Sequence, residues 1–190
     1  MSDLSQVTAV ILAGGLGTRL REVVPDRPKV MAEINGIPFL YYLLDQLVDA
    51  SIEKIVISTG YMGHLIEETV GSSYKRLQVN YSPEEIPLGT AGALKLAGQA
   101  VDTEKCLVMN GDSYMKFDPL LLLMNHKKSD ASITIVIKKV EVSSRYGVID
   151  MNPEHEIVQF IEKGSAGGSG HMNAGVYLVE MGILEKIPDK

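Results

Sequence analysis

Residues 7–29 read VTAVILAGGLGTRLREVVPDRPK, and the order of residue types in that stretch decides the fold. Residues 7–13 (VTAVILA) are a near-continuous apolar run. Such a run without polar alternation is the pattern of a strand covered on both faces. It stops at Gly14, Gly15 and Gly17, with Thr18 and Arg19 directly after. Glycines at the end of a buried strand let the backbone come close to a ligand and offer bare N–H groups to phosphate oxygens. Arg19 adds a permanent charge in a forked geometry. Lys29 follows a proline-containing stretch that can turn it back toward the same loop.

Outward from this stretch, apolar runs alternate with helical patterns. Phe39, Leu40, Leu43, Leu44, Leu47 and Val48 recur at helical spacing, with Pro38 suited to the first helical position. Residues 54–58 (KIVIS) read as a short strand and 61–70 as a helix closed by Gly71. Residues 77–81 alternate like a strand, 90–100 form an Ala/Leu-rich helix, and 106–109 (CLVM) are another buried strand. Residues 119–128 are helical, with Asp118 as N-cap. This order predicts an α/β, Rossmann-like nucleotide-binding fold with a mostly parallel sheet and helices on both faces.

Residues 131–190 differ. Stretches 133–140, 146–150, 157–162 and 174–179 are strand-like with little helix between them. They are expected to add a partly antiparallel, β-rich lid or wall beside the nucleotide half, residues 1–130. No linker separates the halves, so 1–190 is expected to be one domain. The final residues look helical and no terminal strand completes the sheet, which gives the expectation of a C-terminally shortened chain.

Composition narrows the function. Over 190 residues, 24 acids against 18 bases give a net charge of −6, which argues against a nucleic-acid partner. The single cysteine, Cys106, excludes an intrachain disulfide and a Cys-rich zinc site, and fits a reducing compartment. No stretch is long and apolar enough to span a membrane, and residues 1–10 do not have the pattern of a secretory signal. A cytoplasmic protein with no membrane partner is expected. The residues allow a homo-oligomer without requiring one.

Two nucleotide motifs fit poorly. A dinucleotide fingerprint lacks its third glycine, because Leu20 stands there, and no acidic residue follows the second strand. A P-loop fails because no Gly-Lys-Ser/Thr follows. Asp112, after the buried run 106–110, lies at a strand's carboxyl end, where a carboxylate either caps a turn or holds a hard cation. Residues 84–92 (EEIPLGTAG) have glycines on which a flat base could lie, although Glu84 and Glu85 also read as a solvated loop pair. The four histidines are scattered and offer no Ser/His or Cys/His pair.

GGLGTRL at 14–20, Pro28-Lys29, INGIPFLYYLL at 34–44 and YSPEEIPLGTAGAL at 81–94 resemble the sugar-1-phosphate nucleotidylyltransferases. Asn110-Gly111-Asp112, YGVI at 146–149, FIEK at 160–163 and NAGVY at 173–177 continue the resemblance in the family's order. The wording is most similar to D-glycero-D-manno-heptose 1-phosphate guanylyltransferases, and the second motif also to GDP-mannose pyrophosphorylases.

The resemblance implies that a sugar 1-phosphate attacks a nucleoside triphosphate with Mg²⁺, giving an NDP-sugar for capsule, lipopolysaccharide or surface-layer glycans. It implies Arg19, Lys29 and Asp112 as catalytic residues, Asp112 also as metal ligand, with the second family carboxylate lying beyond this chain. Leu12, Ala13, Gly14, Gly15, Gly17, Thr18, Glu84, Pro87, Gly89 and Thr90 would bind the nucleotide. Asn110, Gly147, Glu162, Lys163 and Asn173 would face the sugar.

A carboxylate at position 84 suits guanine, whose N1–H and N2–H both donate; uracil and thymine set an acceptor beside their N–H. GTP is therefore favoured, and the resemblance implies manno-heptose 1-phosphate as its partner. Mannose 1-phosphate, or UTP or dTTP with a hexose 1-phosphate, are alternatives. A non-catalytic, regulatory binder of sugar nucleotides is an alternative of another class.

Overall fold

The computed structural model describes residues 4–15, 17, 26–141, 147–161 and 169–188. Strand β1 (Thr8–Leu12) lies at the centre. It pairs in parallel with β4 (Lys54–Thr59) on one side and β7 (Lys105–Asn110) on the other. Beyond β4 come β6 (Leu77–Pro83), parallel, and β5 (Ser73–Tyr74), antiparallel. The chain thus moves outward from β1 to β6 and then returns to place β7 on the opposite side of β1. In open α/β sheets that reversal opens a crevice at the strands' carboxyl ends.

The strand interiors alternate between two cores, as period-2 geometry requires. Ala9, Ile11, Ile55, Ile57, Leu107 and Met109 face one side with α1 (Phe39–Asp49), α2 (Gly63–Val70) and α4 (Pro119–Lys128). Val10, Val56, Cys106 and Val108 face the other, against Ala97 of α3 (Gly89–Gly98) and Leu184 of a 3₁₀ turn, Met181–Lys186. Because both faces are covered, residues 7–13 show no polar alternation. Leu40, Leu43, Leu44 and Leu47 give α1 a fully buried stripe. Asp118 caps α4 as expected, its Oδ1 accepting from the Leu120 and Leu121 N–H groups at 2.9 and 3.0 Å.

Pro38 does not occupy the first turn of α1. Ile37–Pro38 (β3) pairs with Glu33–Ile34 (β2) in a hairpin, and the helix begins at Phe39. Asn35 and Gly36, at φ 54 and 78, make the two-residue turn, for which Asn-Gly is the strongest short-range signal.

The strands after residue 131 form the expected partly antiparallel, β-rich addition, and they continue the same sheet rather than standing beside it. β11 (Gly170–Glu180) runs antiparallel to β7 through Val176–Glu180. It also carries β8 (Ile133–Val140) and β9 (Val148–Met151), and β10 (Ile157–Ile161) completes the nine-stranded sheet of the described residues. β7 has an open edge opposite β1, and the apolar run of β11 satisfies it. Among the described residues no helix is long and apolar enough to cross a membrane.

Candidate functional site

The turn after β1 is stitched to both neighbouring strands. The Ala13 N–H donates to the Ser58 carbonyl at 2.8 Å, and the Gly111 N–H donates to the Leu12 carbonyl at 2.9 Å. Three backbone segments therefore converge where β1, β4 and β7 end. Gly14 permits the closest approach: a Cβ there would collide with Glu84 Oε1 and lie 3.1 Å from its Cδ. Nothing comes within 4 Å of a Cβ built on Gly15, so its bare backbone faces open space.

This convergence floors a cavity of about 370 Å³. Leu12, Ala13, Gly14, Gly15 and Gly17 form one wall, and Glu84, Pro87, Gly89 and Thr90 form another. Lys29, Asn110 and Asp112 complete the rim. Of the expected catalytic and nucleotide-binding residues, all that lie among the described residues line this one cavity.

Lys29 opens a short 3₁₀ turn, Lys29–Met31, anchored by the buried Val30 and Met31. Its Nζ reaches Asp112 Oδ2 at 2.8 Å, with the two side chains 41% and 51% exposed. Partial burial raises the Asp112 carboxyl. The hydrogen bond and charge of Lys29, with the Ser113 hydroxyl, outweigh it and hold the pKa below the usual carboxylate range. Asp112 is thus an anion at neutral pH, at a strand's carboxyl end, beside the Lys29 ammonium group.

Glu84 follows directly on β6. Its N–H donates to the Thr59 carbonyl at 2.8 Å, and its carboxylate turns inward. Oε1 accepts from Ser58 Oγ at 3.2 Å and Oε2 from the Leu88 N–H at 3.0 Å. The carboxylate therefore lies beneath Gly14 and ahead of the first turn of α3.

The residues expected to face the sugar are less closely gathered. Asn173 donates from Nδ2 to the Tyr177 hydroxyl at 2.7 Å and accepts the Gly175 N–H at Oδ1, 2.8 Å. Gly175 packs on the Asn110 side chain, so β11 touches the cavity rim through Asn110. Gly147 is exposed, ahead of β9, and neither it nor Asn173 lines the cavity. Thr18, Arg19, Glu162 and Lys163 lie outside the described residues.

Several contributors escaped the sequence reading. Val30, Ala93 and Gly111 line the cavity, and Ser58 supports Glu84 from below. Gly111 and Ala93 fall inside the motifs quoted above, and Ser58 is a polar residue at the end of an apolar run; Val30 carries no such signal. The thiol of Cys106 is buried and pushed up to about 12 by that burial, consistent with a core role. Among the described residues, no group of three His, Cys, Asp or Glu side chains could by itself enclose a metal ion.

The chain is similar to known proteins over nearly its whole length. A family model, nucleotidyl transferase, matches residues 8–189. The D-glycero-alpha-D-manno-heptose 1-phosphate guanylyltransferase of Aneurinibacillus thermoaerophilus is 37% identical over 177 residues, 93% of this chain and 76% of that protein. The mannose-1-phosphate guanylyltransferase of Mycobacterium tuberculosis is 34% identical over 96% of this chain, which spans 51% of that relative. The crystal structure of HddC from Yersinia pseudotuberculosis complexed with GMP-PN superposes with a TM-score of 0.84 at 35% identity, covering 96% of this chain and 80% of that one. A glycine turn after a central parallel strand, a lysine and an aspartate paired across its mouth, and a match from β1 to the last strand lead to one assignment: the chain belongs to the nucleotidyl transferase family.

Proposed function

We propose that this protein is a guanylyltransferase that joins GTP to a sugar 1-phosphate, manno-heptose 1-phosphate in the first place, and releases pyrophosphate. The observation that carries it is the single cavity in which Lys29 and Asp112 meet at 2.8 Å beside the glycine turn and Glu84. The relatives named for heptose 1-phosphate guanylyl transfer support the choice of substrates.

The chemistry asks little beyond charge and position. A sugar 1-phosphate oxygen attacks the α-phosphorus of GTP, and the bond to the β-phosphate oxygen breaks. The attacking group is already ionised, since a phosphate monoester has a second pKa of about 6, so no general base is needed. Two anions that repel each other must be held in line. The bare amides of the glycine turn receive triphosphate oxygens, and the Lys29 ammonium meets the α-phosphate. Arg19 serves the charge that develops in the transition state. Asn110, Gly147, Glu162, Lys163 and Asn173 are assigned to the sugar phosphate.

The residues fit a magnesium ion carried by the nucleotide. Mg²⁺ uses one or two carboxylates plus substrate phosphates and keeps several waters; Asp112 would be such a single anchor. When bound, the ion neutralises phosphate charge and polarises the phosphoryl group. Lys29 hydrogen-bonds the Asp112 carboxylate and favours its ionised form, the form that would hold such an ion. We read the described halves as one catalytic domain, residues 1–130 for the nucleotide and 131–190 for the sugar, in a cytoplasmic protein with access to GTP.

The test is a matrix of GTP, ATP, UTP and dTTP against manno-heptose, mannose and glucose 1-phosphates, read by pyrophosphate release. The highest kcat/KM is expected for GTP with manno-heptose 1-phosphate. Preference for UTP or dTTP overturns the base assignment. Nucleotide binding without pyrophosphate release from any pair overturns the enzyme reading in favour of a regulatory binder.

A further inference from the structure

We infer that Ser58 is a positioning residue for base selection, acting through Glu84. The inference rests on the reading of Glu84 as the residue that meets the guanine edge. Ser58 is fully buried at the end of β4, where a polar side chain needs a hydrogen-bond partner. Its hydroxyl finds that partner in Glu84 Oε1 at 3.2 Å. The other oxygen, Oε2, receives the Leu88 N–H at 3.0 Å. One donor on each oxygen fixes both the direction and the plane of the carboxylate.

The count of acceptor sites makes this arrangement suitable for guanine. A carboxylate carries about four lone-pair sites, two on each oxygen. Among the described residues Ser58 and Leu88 occupy one on each, which leaves one on each for a ligand. Guanine presents two adjacent donors, N1–H and N2–H, and so matches a carboxylate with one free site per oxygen. Without Ser58 the Oε1 atom is free to rotate about the side chain's last torsion, which is broad for a Glu carboxylate. The glycine turn limits the space: Glu84 Oε1 lies where a Cβ of residue 14 would stand. Gly14 therefore serves the base-reading carboxylate as well as any phosphate. Ser58 is likewise tied to this turn, because its carbonyl accepts the Ala13 N–H at 2.8 Å.

The experiment is a double-mutant cycle on the whole protein with Ser58→Ala and Glu84→Gln, reading kcat and KM for GTP and for UTP, with the melting temperature of each variant. Ser58→Cys, which fills the space with a weaker donor, is measured alongside. A hydrogen bond to a charged group is worth about tenfold or more. Ser58→Ala is expected to lower kcat/KM for GTP by about tenfold through KM, with kcat within about twofold and the GTP-over-UTP ratio falling in step. Ser58→Cys should fall between, and Ser58→Ala should add nothing once Glu84 is Gln. If Glu84→Gln erodes selectivity and Ser58→Ala does not, the role of Ser58 is overturned and base reading by Glu84 stands. If neither variant changes selectivity, both fall. A lowered melting temperature with unchanged selectivity marks Ser58 as structural and also overturns the inference.

Discussion

Asparagine at position 112 separates the two roles open to that carboxylate. Asn keeps the size of Asp and the Ser113 contact but removes the charge. The Lys29–Asp112 pair is 41% and 51% exposed, so water solvates a Lys29 left alone. Exposed ion pairs contribute about 0–1 kcal/mol. For a chain of this length, 1 kcal/mol shifts the melting temperature by about 2–4 °C. Asp112→Asn should therefore melt within about 4 °C of the native protein. Catalysis should respond far more. Losing the carboxylate that would anchor the cation weakens that cation's hold on the developing phosphoryl charge, and the loss of one such electrostatic stabiliser costs about 2.7–4 kcal/mol, or 10²–10³ in kcat. The assay is pyrophosphate release at pH 8 over a magnesium titration, paired with calorimetry. The variant should need more magnesium and turn over at least about 100-fold more slowly. Native turnover and native magnesium dependence, with a melting point far lower, would show that Asp112 caps its turn and does nothing else.

Other predictions concern the frame around the site. Leu44→Ala removes a fully buried side chain from the α1 stripe and should cost about 2–5 kcal/mol in urea unfolding. Cys106 should resist a thiol reagent at pH 8 until the protein unfolds, because its thiol is buried and pushed up to about 12. Labelling at the rate of a free thiol would show that this core opens. Glu180 ties Lys105 to the buried His126, which also meets Thr134 Oγ1 at 2.7 Å. Burial raises the Glu180 carboxyl, but its hydrogen bonds from Lys105 and His126 prevail and lower it. A lowered value gives stability that is present above the ordinary carboxylate range and lost as pH falls through the folded value. The native melting temperature should therefore drop more steeply than that of Glu180→Gln between about pH 5 and pH 3. Parallel curves would remove Glu180 from acid stability.

The sequence alone determined the kinds of element and the side of the molecule that matters. An apolar run without alternation at 7–13 means a strand covered on both faces, and glycines at its end mean a turn with an open backbone. These signals are local, so a single chain carries them legibly. The Asp118 cap and the α1 stripe are equally local, and both stand in the structure as read. Asn35-Gly36 is an equally local hairpin signal, but Pro38 beside it also reads as a helix start, and the pairing of β2 with β3 decides between the two. Tertiary structure alone decided what meets what. Lys29 and Asp112 pair across 83 residues of chain, and only the return of β7 to the side of β1 brings them together. The support of Glu84 by Ser58 depends on β4 and β6 lying in parallel register, with Ser58 opposite Ser82. β11 joined the main sheet because the open edge of β7 needed hydrogen-bond partners, a demand that no window of sequence around residue 174 expresses. Local pattern follows from a residue's own neighbours along the chain; contact across the fold follows from which edges and faces remain to be satisfied once those elements exist.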